Sequence, residues 1–198
     1  MIFSSDITTR SGDPVCRLGL ATRGDTHLTS QDVDHAIDRG INYLNWCGHP
    51  DGMSQAIRQL SNYQRDQIVI ATQFFARCQD RARRELDQLL KNLDTSWIDV
   101  LTFYYVETED EWEIISGKEG ALGVVLQAMD EGVIRFVGLT THQRKLAARR
   151  AERKDVSLLM IRYNAAHLLN DFRSLTSQEM KRICDHGDRV HRTSGQFL

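Results

Sequence analysis

The chain has 198 residues, a length that suits one domain with its own hydrophobic core. Its hydrophobic content of 41%, charged content of 26% and formal net charge of −2 exclude a general electrostatic attraction to nucleic acid or to an anionic membrane. No segment approaches the roughly 20 apolar residues that span a bilayer, and the N-terminus lacks the features of a secretory signal, so we expect a cytoplasmic protein.

Apolar segments of strand length alternate along the chain with segments of helical periodicity. Strands are predicted at 17–22, 41–46, 67–73, 98–106, 135–141 and 157–164. The helices between them have apolar stripes at Val33, Ala36 and Ile37, then Ala82, Leu86, Leu89, Leu90 and Leu93, then Leu122, Val125, Leu126 and Met129. Asp80 is placed to cap the second helix, and Gly40 and Gly132 to end the first and the third.

This alternation predicts a parallel sheet with helical crossovers. An open doubly wound sheet and a (β/α)8 barrel both fit, and the composition leaves the choice open. No Gly-rich dinucleotide fingerprint follows a strand, and no phosphate-binding loop motif is present. The four cysteines are far apart and have no His at zinc-ligand spacing, so no metal site is predicted.

Six segments of the sequence carry a resemblance to one known family. They are RLGLATRG at 17–24, DVDHAIDRGINYLNW at 32–46, QIVIATQ at 67–73, LDTSWIDVLTFYY at 93–105, EGVIRFVGLTTH at 131–142 and MIRYN at 160–164. In this order and at this spacing they resemble the first six strands of the aldo-keto reductase family, over roughly residues 15–165. The resemblance implies a TIM barrel and an NADP-dependent oxidoreductase that acts on carbonyl or alcohol substrates.

The pattern changes after residue 165. SLTSQEMKRICDHGDRV at 174–190 is similar to the family's closing helix, but nothing resembles strands seven and eight, whose loops hold the cofactor phosphates in the family. We therefore expect an α/β fold, an incomplete (β/α)8 TIM barrel of about six βα units plus a C-terminal helix. Residues 1–164 would form the partial barrel and residues 165–198 a divergent tail. A deletion, a mis-joined gene or an incomplete chain would each produce this pattern.

The resemblance also assigns the catalytic positions, and all four depart from the family's Asp, Tyr, Lys and His. They are Asn45, then Pro50 or, with one residue of slack, His49, then Gln73 and Tyr104. Asn45 and Gln73 replace an ion pair by two neutral amides, which can hydrogen-bond to each other. The exchange removes the cation that would lower the pKa of a phenol, so Tyr104 should keep a pKa near ~10.

Two of these residues have alternative interpretations. Tyr104 could donate a proton to the substrate, or it could be an aromatic residue that fills the barrel mouth. His49 lies in the turn GHPDG, where it could act as a general acid or be a solvated turn residue. The neighbouring Asp51 could tune the imidazole or shape the turn.

The resemblance places cofactor contacts at the ends of the fifth and sixth strands. Thr140 and Thr141 match the family's Ser-Asn pair that holds the nicotinamide amide, and Asn164 is retained from the sixth strand. Met160 stands where the family has a Gln for the same amide. NADP is therefore the expected cofactor, with its binding weakened by these changes and by the missing phosphate loops.

Three functional hypotheses follow: a reworked oxidoreductase, a non-catalytic barrel that binds a ligand or partner, and a fragment without a function of its own. We expect a small-molecule carbonyl substrate, no nucleic acid and no membrane. Open sheet edges at the first and sixth strands predict self-association. The acidic run at 107–113 is read as a solvated loop or a site for a cationic or sugar-like ligand, and the basic run at 143–154 as the solvated face of an outer helix.

Overall fold

The computed structural model describes residues 7–23, 27–153 and 156–161. Within them strands and helices alternate as predicted: β1 Leu20–Ala21, α1 Ser30–Asp38, β2 Tyr43–Trp46, α2 Gly52–Gln59, α3 Asn62–Asp66, β3 Val69–Phe74, α4 Gln79–Leu93, β4 Ile98–Phe103, α5 Glu109–Ser116, α6 Ala121–Asp130, β5 Ile134–Thr141, α7 Arg144–Arg153 and β6 Leu158–Ile161. The six strands form one sheet in the order β1-β2-β3-β4-β5-β6, and every neighbouring pair is parallel. The expectation of an incomplete (β/α) barrel is confirmed.

The ends of several elements differ from the sequence prediction. β1 pairs with β2 over two residues only, and the preceding Leu18 is exposed. Helix α4 begins at Gln79 after Cys78, which forms a bridge to Gly120, so the predicted capping role of Asp80 is wrong. Gly40 (φ +91°) and Gly132 (φ +75°) do follow the first and third predicted helices in the left-handed conformation, as expected.

Three helices begin with reciprocal capping boxes, which fix the turns that precede them. The pairs are Thr29 with Asp32, Asp51 with Ser54, and Ser61 with Gln64. In each pair the first side chain accepts from the third helical amide, and the other side chain accepts from the amide of the cap residue. The second pair opens α2 directly after the turn that carries His49, so it shapes the mouth of the barrel.

Both faces of the sheet are covered, which explains why the strands read as nearly continuous apolar runs. On the convex face, alternate strand residues pack against the helices. On the concave face a smaller cluster forms the barrel interior: Tyr43, Val69, Ala71, Val100, Phe136, Leu158 and Met160. The polar residues at the carboxyl end of this concave face are therefore the ones that can meet a ligand.

A buried charge cluster lies at the amino end of the barrel. Asp99 is fully buried and accepts hydrogen bonds from Arg65 at 2.8 Å and from Arg135 at 2.5 Å. The Arg65 guanidinium lies over Trp97, 3.5 Å from the ring centroid, and burial lowers its pKa. Arg135 also donates to the carbonyl of Thr9, so the cluster holds the N-terminal segment across this end of the sheet.

Several expectations lie outside the described residues. They are the tail at 165–198 with its helix, the domain division at residue 164, and Asn164. β1 and β6 each have one strand neighbour among the described residues, so self-association through their open edges stays a prediction. Within the same part of the chain, no helix has both the length and the apolar character that crossing a membrane requires.

Candidate active site

Five of the predicted site residues lie at the carboxyl end of the sheet. Asn45 is on β2, Gln73 on β3, Thr140 and Thr141 close β5, and Tyr104 follows β4 directly. Because the strands are parallel, their carboxyl ends meet at one edge, where (β/α) barrels carry their chemistry. The structure therefore brings these predicted residues to one end of the barrel, and their roles stay predictions.

Asn45 shows that the sheet curls round on itself. Its Nδ2 donates to Met160 Sδ at 3.7 Å, so a β2 side chain touches a β6 side chain across the concave face. Asn45 is 4% exposed, and its Oδ1 has no hydrogen-bond partner among the described residues. Asn45 and Gln73 do not use their ability to hydrogen-bond to each other, because the register pairs Asn45 with Ala71 and leaves Gln73 two residues farther along β3.

Tyr104 belongs to a row of aromatic rings across the mouth. Its ring stacks on Tyr105 with centroids 3.9 Å apart, Phe75 lies 4.9 Å from it on one side, and His142 lies 4.5 Å from Tyr105 on the other. Burial, a side-chain hydrogen bond to Tyr105 and the charge of Tyr105 raise the pKa of Tyr104 to about 12. The pKa is higher than the expected value of about 10. At neutral pH the phenol of Tyr104 is therefore protonated.

The acidic run after β4 is a helix with charged partners, so the expectation of a solvated loop is wrong. Glu111 binds Arg77 at 2.7 Å, and Glu109 binds both Arg149 and Arg150 of α7. Glu107 accepts from the amide of His142 at 2.9 Å, and Trp112 is buried. The basic run is also not wholly solvated, since Arg150 is buried against Trp112.

Arg77 is a site residue that the sequence reasoning missed. It lies after β3 and donates to the carbonyl oxygens of Phe75 and Tyr104, at 3.1 and 2.7 Å, as well as to Glu111. Its partners are two backbone carbonyls and a carboxylate 34 residues away. In the sequence, the contact is indicated only by an Arg between β3 and α4 and a carboxylate after β4.

His49 and Asp51 have different surroundings. His49 is exposed, and its imidazole makes no hydrogen bond to the described residues, while its carbonyl accepts from Trp46 Nε1 at 2.8 Å. Asp51 is the N-cap of α2 and accepts from Ser54 N, Trp46 Nε1 and Cys47 Sγ. Asp51 therefore shapes the turn. His49 remains a candidate at the rim.

The two threonines predicted to hold a cofactor are not equivalent. Thr140 is 8% exposed, lies in register with Met160 on the concave face, and its Oγ1 has no partner among the described residues. Thr141 Oγ1 instead accepts from Gln143 N at 2.9 Å, at the start of α7.

The unpartnered oxygens of Thr140 and Asn45 are each suited by their chemistry to hydrogen-bond a carboxamide such as that of nicotinamide. A carboxamide offers donors to both oxygens, and the Thr140 hydroxyl can also donate to its carbonyl. Across residues 7–23, 27–153 and 156–161, no group of three or more His, Cys, Asp or Glu side chains could hold a metal ion.

Comparisons with known proteins agree with this architecture. A family model described as "Aldo/keto reductase family" matches residues 18–190. Similar solved structures include an aldo-keto reductase from Bacillus halodurans in its holo form (18% identity, TM-score 0.67, covering 93% of this chain and 64% of that one). Another is an aldo/keto reductase from Brucella melitensis (16% identity, TM-score 0.59, covering 86% of this chain and 70% of that one). A third is an aldose reductase from Giardia lamblia (13% identity, TM-score 0.63, covering 91% of this chain and 66% of that one). The chain spans about two thirds of the length of these structures, and no curated protein matches it.

Proposed function

This chain belongs to the aldo/keto reductase family, and on that premise we propose that it is an NADP-binding oxidoreductase that acts slowly on a carbonyl or alcohol substrate. The observation that carries the proposal is the pair of buried, unpartnered oxygens on the concave face, Thr140 Oγ1 and Asn45 Oδ1. They lie at the end of the barrel where the chemistry of this fold takes place.

The nicotinamide end of the cofactor would be held by these two residues. A buried polar atom without a partner costs about 1–3 kcal/mol, and a carboxamide would recover part of that cost by bonding to it. Asn45 Oδ1 would accept an amide N–H, and Thr140 Oγ1 would donate or accept. When bound, the cofactor supplies the hydride, and the protein's part is to orient the ring and exclude water.

Tyr104 would supply the proton to the substrate oxygen. Its pKa of about 12 keeps the phenol protonated at neutral pH, but far from the value that matches proton transfer there. Asn45 and Gln73 carry no charge, so the cation that lowers a phenol pKa in the family is lost from those positions. General acid catalysis contributes about 10²–10⁴-fold, and we expect this protein to lack most of that factor.

A second candidate function is favoured by the aromatic row. Phe75, Tyr104 and Tyr105 cover the mouth, and the raised pKa of Tyr104 suits a packed ring as well as a proton donor. A non-catalytic barrel would bind the cofactor or another ligand here without turnover. The two candidates share the concave-face oxygens and differ in whether bound NADPH is consumed.

The first test is a titration with NADPH, followed by cofactor fluorescence up to millimolar concentrations. We expect binding by the unaltered protein and about fivefold weaker binding by Thr140→Val, the effect of one net hydrogen bond. Thr72→Val is the matched control, because Thr72 is also buried, its Oγ1 is also unpartnered among the described residues, and it faces the helices instead of the interior. Absence of NADPH binding would refute the oxidoreductase and would leave only a non-catalytic barrel that binds another ligand.

The second test separates the candidates by turnover. The protein is incubated with NADPH and a panel of aldehydes and ketones, and loss of cofactor absorbance is followed against Tyr104→Phe. Slow consumption that Tyr104→Phe abolishes supports the oxidoreductase. Tight binding with no consumption across the panel contradicts it and supports the binding barrel.

A further inference from the structure

We propose that Arg77 is a positioning residue that holds Tyr104 in the barrel mouth, and that Glu111 in turn holds Arg77. The inference rests on the proposed function, in which Tyr104 donates the proton. In this proposal Arg77 does not touch substrate or cofactor. It would act only through the backbone of the residue that carries the phenol.

The contacts of the guanidinium carry the proposal. Arg77 Nη2 donates to the carbonyl of Tyr104 at 2.7 Å, Nη1 to that of Phe75 at 3.1 Å, and Nε to Glu111 Oε1 at 2.7 Å. One planar group thus joins the ends of β3 and β4 to the start of α5. The Arg77 side chain is 26% exposed, so these bonds are less screened than those of a surface pair.

Tyr104 stands where the strand gives way to a turn. The Tyr104 amide still donates to the carbonyl of Phe74 at 2.9 Å. The next residue, Tyr105, has φ +49°, a left-handed conformation that costs a side-chain-bearing residue about 1–2 kcal/mol. Val106 then donates to the carbonyl of Thr140 at 3.0 Å. The Arg77 bond therefore falls on the residue just before the strained one, where the chain would otherwise relax.

Helix α5 fixes the other end of this contact. Glu111 accepts the amide of Glu107 at 3.0 Å through its second oxygen, and the Glu111 amide donates to the cap residue Thr108 at 3.1 Å. The carboxylate is thus set by the first turn of the helix, where a negative charge is also favoured by the helix dipole. Helix α5 therefore positions Glu111, Glu111 positions Arg77, and Arg77 positions Tyr104.

Loss of Arg77 should be visible in the ionisation of Tyr104. Burial raises the pKa of Tyr104 most, Tyr105 and Cys47 raise it further, and Arg23 lowers it. Releasing the carbonyl lets Tyr105 leave the left-handed conformation, which separates the stacked rings and exposes the phenol. The pKa of Tyr104 should then fall toward the ordinary tyrosine value of about 10.

The experiment titrates Tyr104 in the full chain without cofactor. Tyrosinate absorbance is measured for each protein against the same protein carrying Tyr104→Phe, so that the difference reports Tyr104 together with its effect on the stacked Tyr105. Near pH ~10.5, Tyr104 should be mostly protonated in the unaltered protein and mostly ionised in Arg77→Met. Arg77→Lys keeps the charge but not the planar fork, and should give an intermediate midpoint. Arg83→Met, at an exposed α4 residue, should change nothing.

Circular dichroism at each pH checks that the variants are folded. If Arg77→Met does not fold, Glu111→Gln replaces it, because this variant weakens one anchor and leaves both carbonyl contacts. A folded Arg77→Met protein, or the Glu111→Gln protein in its place, whose Tyr104 titrates as in the unaltered protein overturns the proposal. NADPH titration of the same proteins separates the two inferences: no cofactor binding by the unaltered protein defeats the proposed function, whereas Tyr104 ionisation reports positioning in either case.

Discussion

Replacing Asp99 by Asn is the sharpest test of what stabilises this barrel. The carboxylate is fully buried and accepts from Arg65, Arg135 and the amide of Ile70. Asn keeps the shape but removes the charge and one acceptor oxygen, which leaves two guanidiniums facing each other. Breaking a buried ion pair costs about 3–5 kcal/mol, and because Arg135 is 21% exposed and can recover water, we expect about 3 kcal/mol.

The assay is urea and thermal unfolding of Asp99→Asn beside the unaltered protein. For a chain of this size, about 3 kcal/mol corresponds to a melting temperature lower by roughly 6–12 °C. Asp80→Asn is the matched control, since its side chain is 89% exposed and lies 3.9 Å from Arg83; it should change stability by less than about 0.5 kcal/mol. A loss below about 1 kcal/mol for Asp99→Asn would refute the reasoning, because it would mean that the guanidiniums need no buried anion.

Three further predictions concern single side chains. Asn45→Asp places an unpaired carboxyl on the concave face, so burial should raise its pKa, and urea unfolding should show a loss of stability that is small near pH ~4 and grows toward neutrality. Trp112→Ala should lower the free energy of unfolding by about 3–5 kcal/mol in the same assay, because Trp112 is buried. Ile114→Ala, at a residue 62% exposed on the same helix, should lower it by less than about 0.5 kcal/mol. Similar losses for the two variants would contradict the packing argument. Gly120→Ala should destabilise the protein, because the added Cβ would lie 2.1 Å from a carbonyl oxygen. Gly123→Ala in α6 should stabilise it by about 0.5–1 kcal/mol, because no atom lies within 4 Å of the added Cβ. Melting temperatures that fall for both variants would count against this steric difference.

The strands could be predicted from the sequence because burial on both faces leaves a local signal. The run at 68–71 is apolar throughout, and the structure places its residues alternately against the helices and in the interior. Helix α5 could not be predicted in the same way. Its carboxylates read as a solvated loop because their partners, such as Arg77 and Arg149, lie 34 and 40 residues away. Charges that pair across the fold look like surface charges in a linear sequence.

The candidate site was predicted by position but not by contact. Asn45, Tyr104 and Thr140 lie at the end of the barrel that the resemblance implied. The partner of Asn45 is Met160 and not Gln73, since the strand register and the curl of the sheet set that contact. Neither the strand register nor the curl of the sheet can be read from the spacing of residues along the sequence. The roles of these residues in catalysis and cofactor binding stay predictions for the experiments described above.

The contact between Asn45 and Met160 has a consequence for how the chain folds during synthesis. Each strand pairs with its neighbour in the sequence, so the sheet can grow one strand at a time as the chain leaves the ribosome. The Asn45–Met160 contact spans 115 residues and cannot form until β6 has been made. At about 5–20 residues per second, the concave face beside Asn45 stays uncovered for on the order of ten seconds. During that interval the nascent barrel exposes apolar surface, and that is when chaperones would be needed.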